Sequence, residues 1–206
     1  MMLPMATGTG TRRNLAAMTA DAWGLLLTPD RPEKHSGFAG YAIDNGAWGA
    51  HQRGERWSPA RWLPLIRAHG SDALWCVLPD IVCGGRDSLA LSCWWLPRVW
   101  SLSPRWLVAV QDGMRPEQLR RIIGPRVGVF VGGSTEWKES SMPEWGRLCR
   151  ERGAWLHVGR VNSARRIAMC ARAGADSFDG TSGTRFAVTI PKITATARQL
   201  ALMPGA

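Results

Sequence analysis

The chain has 206 residues, 26 Lys+Arg against 16 Asp+Glu, and a formal net charge of +10. A content of 45% hydrophobic and 20% charged residues fits one globular domain and excludes a disordered chain. The longest apolar runs, such as residues 22–27, are far shorter than the roughly 20 residues that span a bilayer.

Residues 1–20 lack the basic-then-apolar pattern of a signal peptide and read as an N-terminal tail or arm. From residue 21 onward, short apolar runs alternate with helical stretches. Gly24–Pro29 is a strand, and Gly40–Asp44 a second. Ser58–His69 is a helix with Ser58 as N-cap and proline in its first turn. Ala73–Asp80 is a buried strand, followed by a helix over Asp87–Trp100. Arg105–Gln111 and Arg126–Val131 are strands around a short helix at Pro116–Ile123. Pro143–Arg152 is a helix closed by Gly153. Trp155–Gly159 is a strand, Ser163–Ala173 a capped helix, and Ala175–Asp179 a last strand before a helix at Ile193–Met203.

Apolar strands alternating with helices specify a parallel sheet buried on both faces. Seven such units in residues 21–206 lead us to expect a single catalytic domain with a minimal or incomplete TIM-like (β/α)8 barrel, at the lower size limit of that fold. A doubly wound sheet is the other arrangement open to this pattern. The five cysteines are odd in number and lack C-x-x-C spacing, so neither a disulfide framework nor a structural zinc site is expected. A reducing, cytoplasmic location follows from that usage.

Polar residues gather where the strands end: Asp44-Asn45-Gly46, Pro79-Asp80, Gln111-Asp112-Gly113, Gly132-Gly133, Gly159-Arg160 and Asp179-Gly180. The C-terminal edge of a parallel sheet is where α/β enzymes place their sites. Any one Asp-Gly or Asn-Gly pair also suits a simple turn; it is their joint placement that points to a site. The net positive charge is mostly arginine, and 12 Trp stand beside one Tyr and four Phe. This fits a nucleic-acid partner, and a GC-rich coding sequence would produce the same bias. Trp94, Trp95, Trp100 and Trp106 are expected to be core or helix-packing residues.

From Gly40 to Phe186 the order of these pieces resembles the tRNA-guanine transglycosylase superfamily, most of all its phage-type branch, the 7-deazaguanine DNA transglycosylases. Asp44-Asn45-Gly46-Ala47 stands where that family has Asp-Ser-Gly-Gly. Leu78-Pro79-Asp80, Val110-Gln111 and Phe130-Val131-Gly132-Gly133 resemble its base-binding strand ends. Ala175-Asp176-Ser177-Phe178-Asp179 with Thr184-Arg185 resembles its Asp-x-Phe-Asp strand, preceded by His157-Val158-Gly159-Arg160. No cysteine follows Cys170, so the family's zinc subdomain is absent. That departure favours DNA over tRNA as the partner.

The resemblance implies exchange of guanine in DNA for a 7-deazaguanine co-substrate, with no other cofactor. Asp179 would be the nucleophile on the sugar carbon and Asp44 the general acid/base, the two-carboxyl logic of retaining glycosidases. Asp80, Gln111, Gly132, Gly133 and His157 would bind the base. Arg160, Arg185, Lys138 and Arg53 would meet the nucleic acid, helped by Arg56, Trp57, Trp137, Arg165 and Arg166. A zinc-less tRNA enzyme and a basic nucleic-acid binder without catalysis are the other readings.

Overall fold

Eight parallel strands pair in chain order and close into a barrel. They are β1 (Leu3–Thr7), β2 (Gly24–Leu27), β3 (Tyr41–Ile43), β4 (Cys76–Val77), β5 (Trp106–Val110), β6 (Val127–Val131), β7 (Leu156–Val158) and β8 (Ser177–Asp179). The structure, a computed structural model, describes residues 2–7, 11–181 and 187–201. Among these, eight helices wrap the sheet: α1 (Arg12–Ala20), α2 (Ala47–Gln52), α3 (Pro59–His69), α4 (Gly85–Val99), α5 (Pro116–Leu119), α6 (Thr135–Arg152), α7 (Ala164–Ala173) and α8 (Ile190–Ala201). None of them is long and apolar enough to cross a membrane.

The barrel is of the TIM-like (β/α)8 type expected and is closed by all eight strands; Leu3–Thr7 and Arg12–Ala20, expected in a tail or arm, form its first strand and first helix. Leu3, Pro4 and Met5 pair with Ser177, Phe178 and Asp179 on one side. Met5, Ala6 and Thr7 pair with Gly24, Leu25 and Leu26 on the other. Proline and threonine hide this strand in a five-residue run, yet Pro4, Met5 and Ala6 are all buried.

Side chains alternate along each strand between the surrounding helices and the interior. Leu25, Ile43, Val108 and Val129 point outward into the layer containing Trp62 of α3 and Trp145 of α6. Met5, Leu26, Ala42, Val77, Leu107 and Ala109 fill the interior, with Trp75 beneath. The same alternation carries three strand-end residues inward: Asp44 two positions after Ala42, Gln111 two after Ala109, and Asp179 two after Ser177.

Local signals set the helix starts. Ser58 and Ser163 cap α3 and α7 by accepting from the amides of Ala60 and Arg166. The helix expected from Pro143 begins instead at Thr135, because Ser134 caps it by accepting from Trp137 N. Pro143 lies inside this 18-residue helix without ending it. The turn expected after Asp44 contains α2. All five cysteines are free thiols. Of the four tryptophans expected in the core or in helix packing, Trp106 is fully buried, whereas Trp94 and Trp100 are 51% and 39% exposed. Arginines cover these two: Arg98 lies 3.6 Å above the Trp94 ring and Arg126 3.9 Å above Trp100.

The α6–α7 contact depends on one missing methyl. A Cβ built on Gly146 of α6 would lie 2.1 Å from the Ala173 carbonyl oxygen at the end of α7. Backbone cannot yield as a side chain can. Gly146→Ala should therefore destabilise the fold by about 1–3 kcal/mol in equilibrium urea denaturation. A loss below about 0.5 kcal/mol would show that the two helices separate freely.

Candidate active site

Three acids converge on the C-terminal mouth. Asp44 follows β3, Asp80 follows β4, and Asp179 ends β8. They are close enough to perturb one another: Asp179 and Asp80 both push the Asp44 carboxyl upward.

Their environments drive them apart. Burial raises the Asp44 carboxyl to about 7, against a single opposing bond from Gly46 N at 2.6 Å. Burial also raises Asp80, to about 6, although two amides donate to it. Asn45 Nδ2 meets Asp80 Oδ1 at 2.7 Å and Gln111 Nε2 meets Oδ2 at 2.6 Å. Burial acts on Asp179 in the same sense, but there it is outweighed. His157 Nε2 lies 3.0 Å from Oδ2 and Arg160 N donates to Oδ1 at 3.0 Å, with Lys138 adding positive charge nearby. The net result holds Asp179 below the usual carboxylate range. At neutral pH the mouth therefore contains a standing carboxylate, Asp179, beside a carboxyl able to give or take a proton, Asp44.

Several expected base contacts are already engaged in the protein. Asp80 and Gln111 bind each other, and Gln111 also reaches Ser88 Oγ at 3.3 Å. Gly132 N donates to Val110 O within the sheet, so an amide contact to a base would fall to Gly133. Gly133 has φ +72°, and a Cβ there would lie 2.6 Å from both Asp112 Oδ2 and the Trp137 ring. His157 is completely buried, so it cannot touch a base directly.

The arginine and lysine rim is smaller than the sequence suggested. Lys138 is only 4% exposed; its Nζ donates to Gly159 O, and burial lowers it to about 8. It cannot reach a phosphate on the surface. Arg53 is paired with Asp30 at 2.8 Å and Glu55 at 2.9 Å. Arg165 and Arg166 share Glu139. Thr184 and Arg185 lie outside the described residues. Arg160 does stand at the mouth: its backbone is left-handed (φ 59°), and its guanidinium donates to Gly133 O and lies 4.4 Å from the Trp48 ring.

Asn45, Trp48 and Ser177, to which the sequence assigns no role, also stand at the candidate site. Asn45 ties two loops together: Nδ2 also donates to Leu78 O at 2.7 Å, and Oδ1 accepts from Ala47 N at 2.8 Å. Trp48 is 41% exposed beside Arg160. Ser177 lies two residues before Asp179, and that spacing was the available signal. A cleft of about 550 Å³ opens beside Asp80, lined by Trp57, Trp95, His51, Arg56 and Ile81. Its size falls within the range of small-molecule sites. Among the described residues, no three His, Cys, Asp or Glu side chains are grouped to hold a metal ion.

The barrel has solved counterparts. It superimposes on N-(5'-phosphoribosyl)anthranilate isomerase from Pyrococcus furiosus at 11% identity and TM-score 0.55, covering 97% of this chain and 100% of that one. Against 3-hexulose-6-phosphate synthase from Salmonella typhimurium the values are 12% and 0.56, with 97% and 100% covered. An HpcH/HpaI aldolase from Desulfitobacterium hafniense gives 9% and 0.54, with 99% and 94% covered. All three are enzymes, and at these identities the likeness concerns the fold. No family model and no curated protein matches the sequence.

The raised Asp44 carboxyl has a measurable consequence for stability. An unfolded aspartate ionises near 3.8, so the unfolded chain loses this proton first as pH rises. The stabilising effect of the raised value is complete below that pH and is lost as pH climbs to about 7. Asp44→Asn should match wild type at about pH 3 and exceed it at about pH 8 by about 1 kcal/mol or more. Equal stabilities at both pH values would show that Asp44 titrates normally.

Proposed function

We propose that the protein is a base-exchange N-glycosyltransferase that replaces guanine in DNA with a 7-deazaguanine base. The observation that carries this reading is the split between Asp44 and Asp179: a carboxyl raised to about 7 faces a carboxylate held low, in one mouth. Two carboxyls with these roles suit double displacement at an acetal-type carbon.

In the first step, an Asp179 oxygen bonds to the sugar C1′ as the C1′–N9 bond breaks. Asp44 supplies the proton taken up by the leaving purine. In the second step, Asp44 takes the proton from the incoming base, whose nitrogen bonds to C1′ and releases the Asp179 carboxylate. The new base has carbon at position 7, which closes the return route through protonation there. Water must stay out between the two steps, or the ester would be hydrolysed.

Asp80, with Gln111 and Asn45 locking its carboxyl group, supplies acceptors for the N–H edge of a guanine-type base. The adjoining Trp57–Trp95 cleft supplies aromatic surface. The target nucleotide must leave the stack to reach Asp179. Arg160 at the mouth would meet its backbone, and the exposed Trp48 ring beside it would stack on a base; their contact with each other at 4.4 Å supports this pairing.

Incubation with labelled guanine tests this reading directly. Label should enter DNA with wild type, fall by about 10²–10⁴-fold with Asp44→Asn, and vanish with Asp179→Asn. Label entering only tRNA would transfer the reading to a zinc-less tRNA enzyme. Label entering neither polymer would end it.

Binding to DNA should weaken with salt, the log–log slope approaching about −0.9 for each phosphate contacted. Fluorescence titrations from about 50 to 200 mM salt would measure it. A flat response would remove nucleic acid as the partner of the +10 charge.

A further inference from the structure

A row of hydrogen bonds runs up the barrel interior to Asp179. Trp155 Nε1 donates to Ser177 Oγ at 2.9 Å. Ser177 Oγ lies 2.8 Å from His157 Nδ1, and His157 Nε2 lies 3.0 Å from Asp179 Oδ2. The two ends together decide the direction of the row: an indole N–H can only donate and a carboxylate can only accept. Ser177 Oγ accepts from Trp155, and His157 Nε2 must donate to Asp179; a neutral ring has a single N–H, so its Nδ1 takes the Ser177 hydroxyl proton. Nδ1 is then an acceptor, and the ring proton stands on Nε2, facing Asp179.

The ring is fixed in place. His157 is fully buried, with the Trp75 ring 4.6 Å away and the Phe130 ring 4.7 Å away, centroid to centroid. Charged groups near it are Asp179 on β8, Lys138 on α6 and Arg160 after β7, with Asp44 facing Asp179 across the mouth. Burial acts first, keeping the imidazole below its usual value despite Asp179 beside it.

We propose that Trp155, Ser177 and His157 form a one-way donor chain that presents a neutral Nε2–H to Asp179, making His157 a positioning residue and not an acid, a base or a base-binding group. The importance of this chain for exchange rests on the reading of Asp179 as nucleophile. A neutral donor has an advantage over an imidazolium there. When Asp179 becomes an ester its charge disappears, and a cationic ring would be stranded in the barrel core; a neutral ring is not. The donor also stabilises the departing carboxylate in the second displacement. With Arg160 N on Oδ1 and His157 on Oδ2, both oxygens are held while the carboxylate waits.

Nitrogen-15 NMR of the full chain tests the chain without using activity. The His157 signals are those missing from His157→Gln. We expect a bare Nδ1 and a protonated Nε2 at neutral pH. An imidazolium at neutral pH, or a proton on Nδ1, would overturn the proposal. Ser177→Ala should mix the two tautomers and lower exchange kcat by about ten- to a hundredfold with KM unchanged. His157→Gln, which keeps an N–H donor, should retain more kcat than His157→Leu. Wild-type kcat in Ser177→Ala, or equal losses in the two His157 variants, would count against it. If either set of variants fails to fold, the wild-type tautomer decides. The expected tautomer in a protein without exchange activity would sustain the donor chain and remove the transferase reading alone.

Discussion

The pairing of β1 with β8 is the contact on which the site depends. It sets Met5 against Asp179 and closes the sheet, so no strand edge is left to slip. Closure fixes the height of each residue in the interior. Alternation then decides which residues point inward, and the last inward position of three strands is Asp44, Gln111 or Asp179. An open sheet with the same strands could twist these groups away from one another. In the closed barrel their separation is set by strand count and register, before any side chain adopts a rotamer.

Burial then acts unequally on acids of one type. Asp44 gets one amide; Asp80 gets two side-chain amides; Asp179 gets a histidine, a backbone N–H and a nearby lysine. Desolvation is the largest influence at all three, and the donors decide how much of it is cancelled. A protein with a large positive charge can thus raise one of its acids to about 7, because the groups that set its ionisation are local.

Much of this was legible in the chain. Strand-end acids could be read because a buried parallel strand is a continuous apolar run, and the first carboxylate after it marks its C-terminal edge. The first strand was hidden because Leu-Pro-Met-Ala-Thr is short and carries a proline, and only its partners at both sides show what it is. The basic rim could not be read from residue type. Arg53 meets Asp30, 23 positions away, and Lys138 turns inward to Gly159 O. The tryptophans divided in the same way: Trp62 packs against Trp95 and Trp106 in the wall, whereas Trp94 and Trp100 lie outside under arginines. Sequence spacing specifies the strand a residue ends; the charges it meets come from other parts of the chain.

In a (β/α)8 barrel the lower face is generally given over to stability and the upper face to chemistry. Trp155 belongs to the lower face, just before β7, and its ring is capped by the Arg105 guanidinium at 4.7 Å. Because its N–H begins the row that ends on Asp179, the two faces of this barrel are not independent. A change at the floor, remote from any ligand, would alter the acid–base behaviour of the mouth while leaving every residue there in place. Positions that look, by location, like scaffold are thereby tied to the mouth.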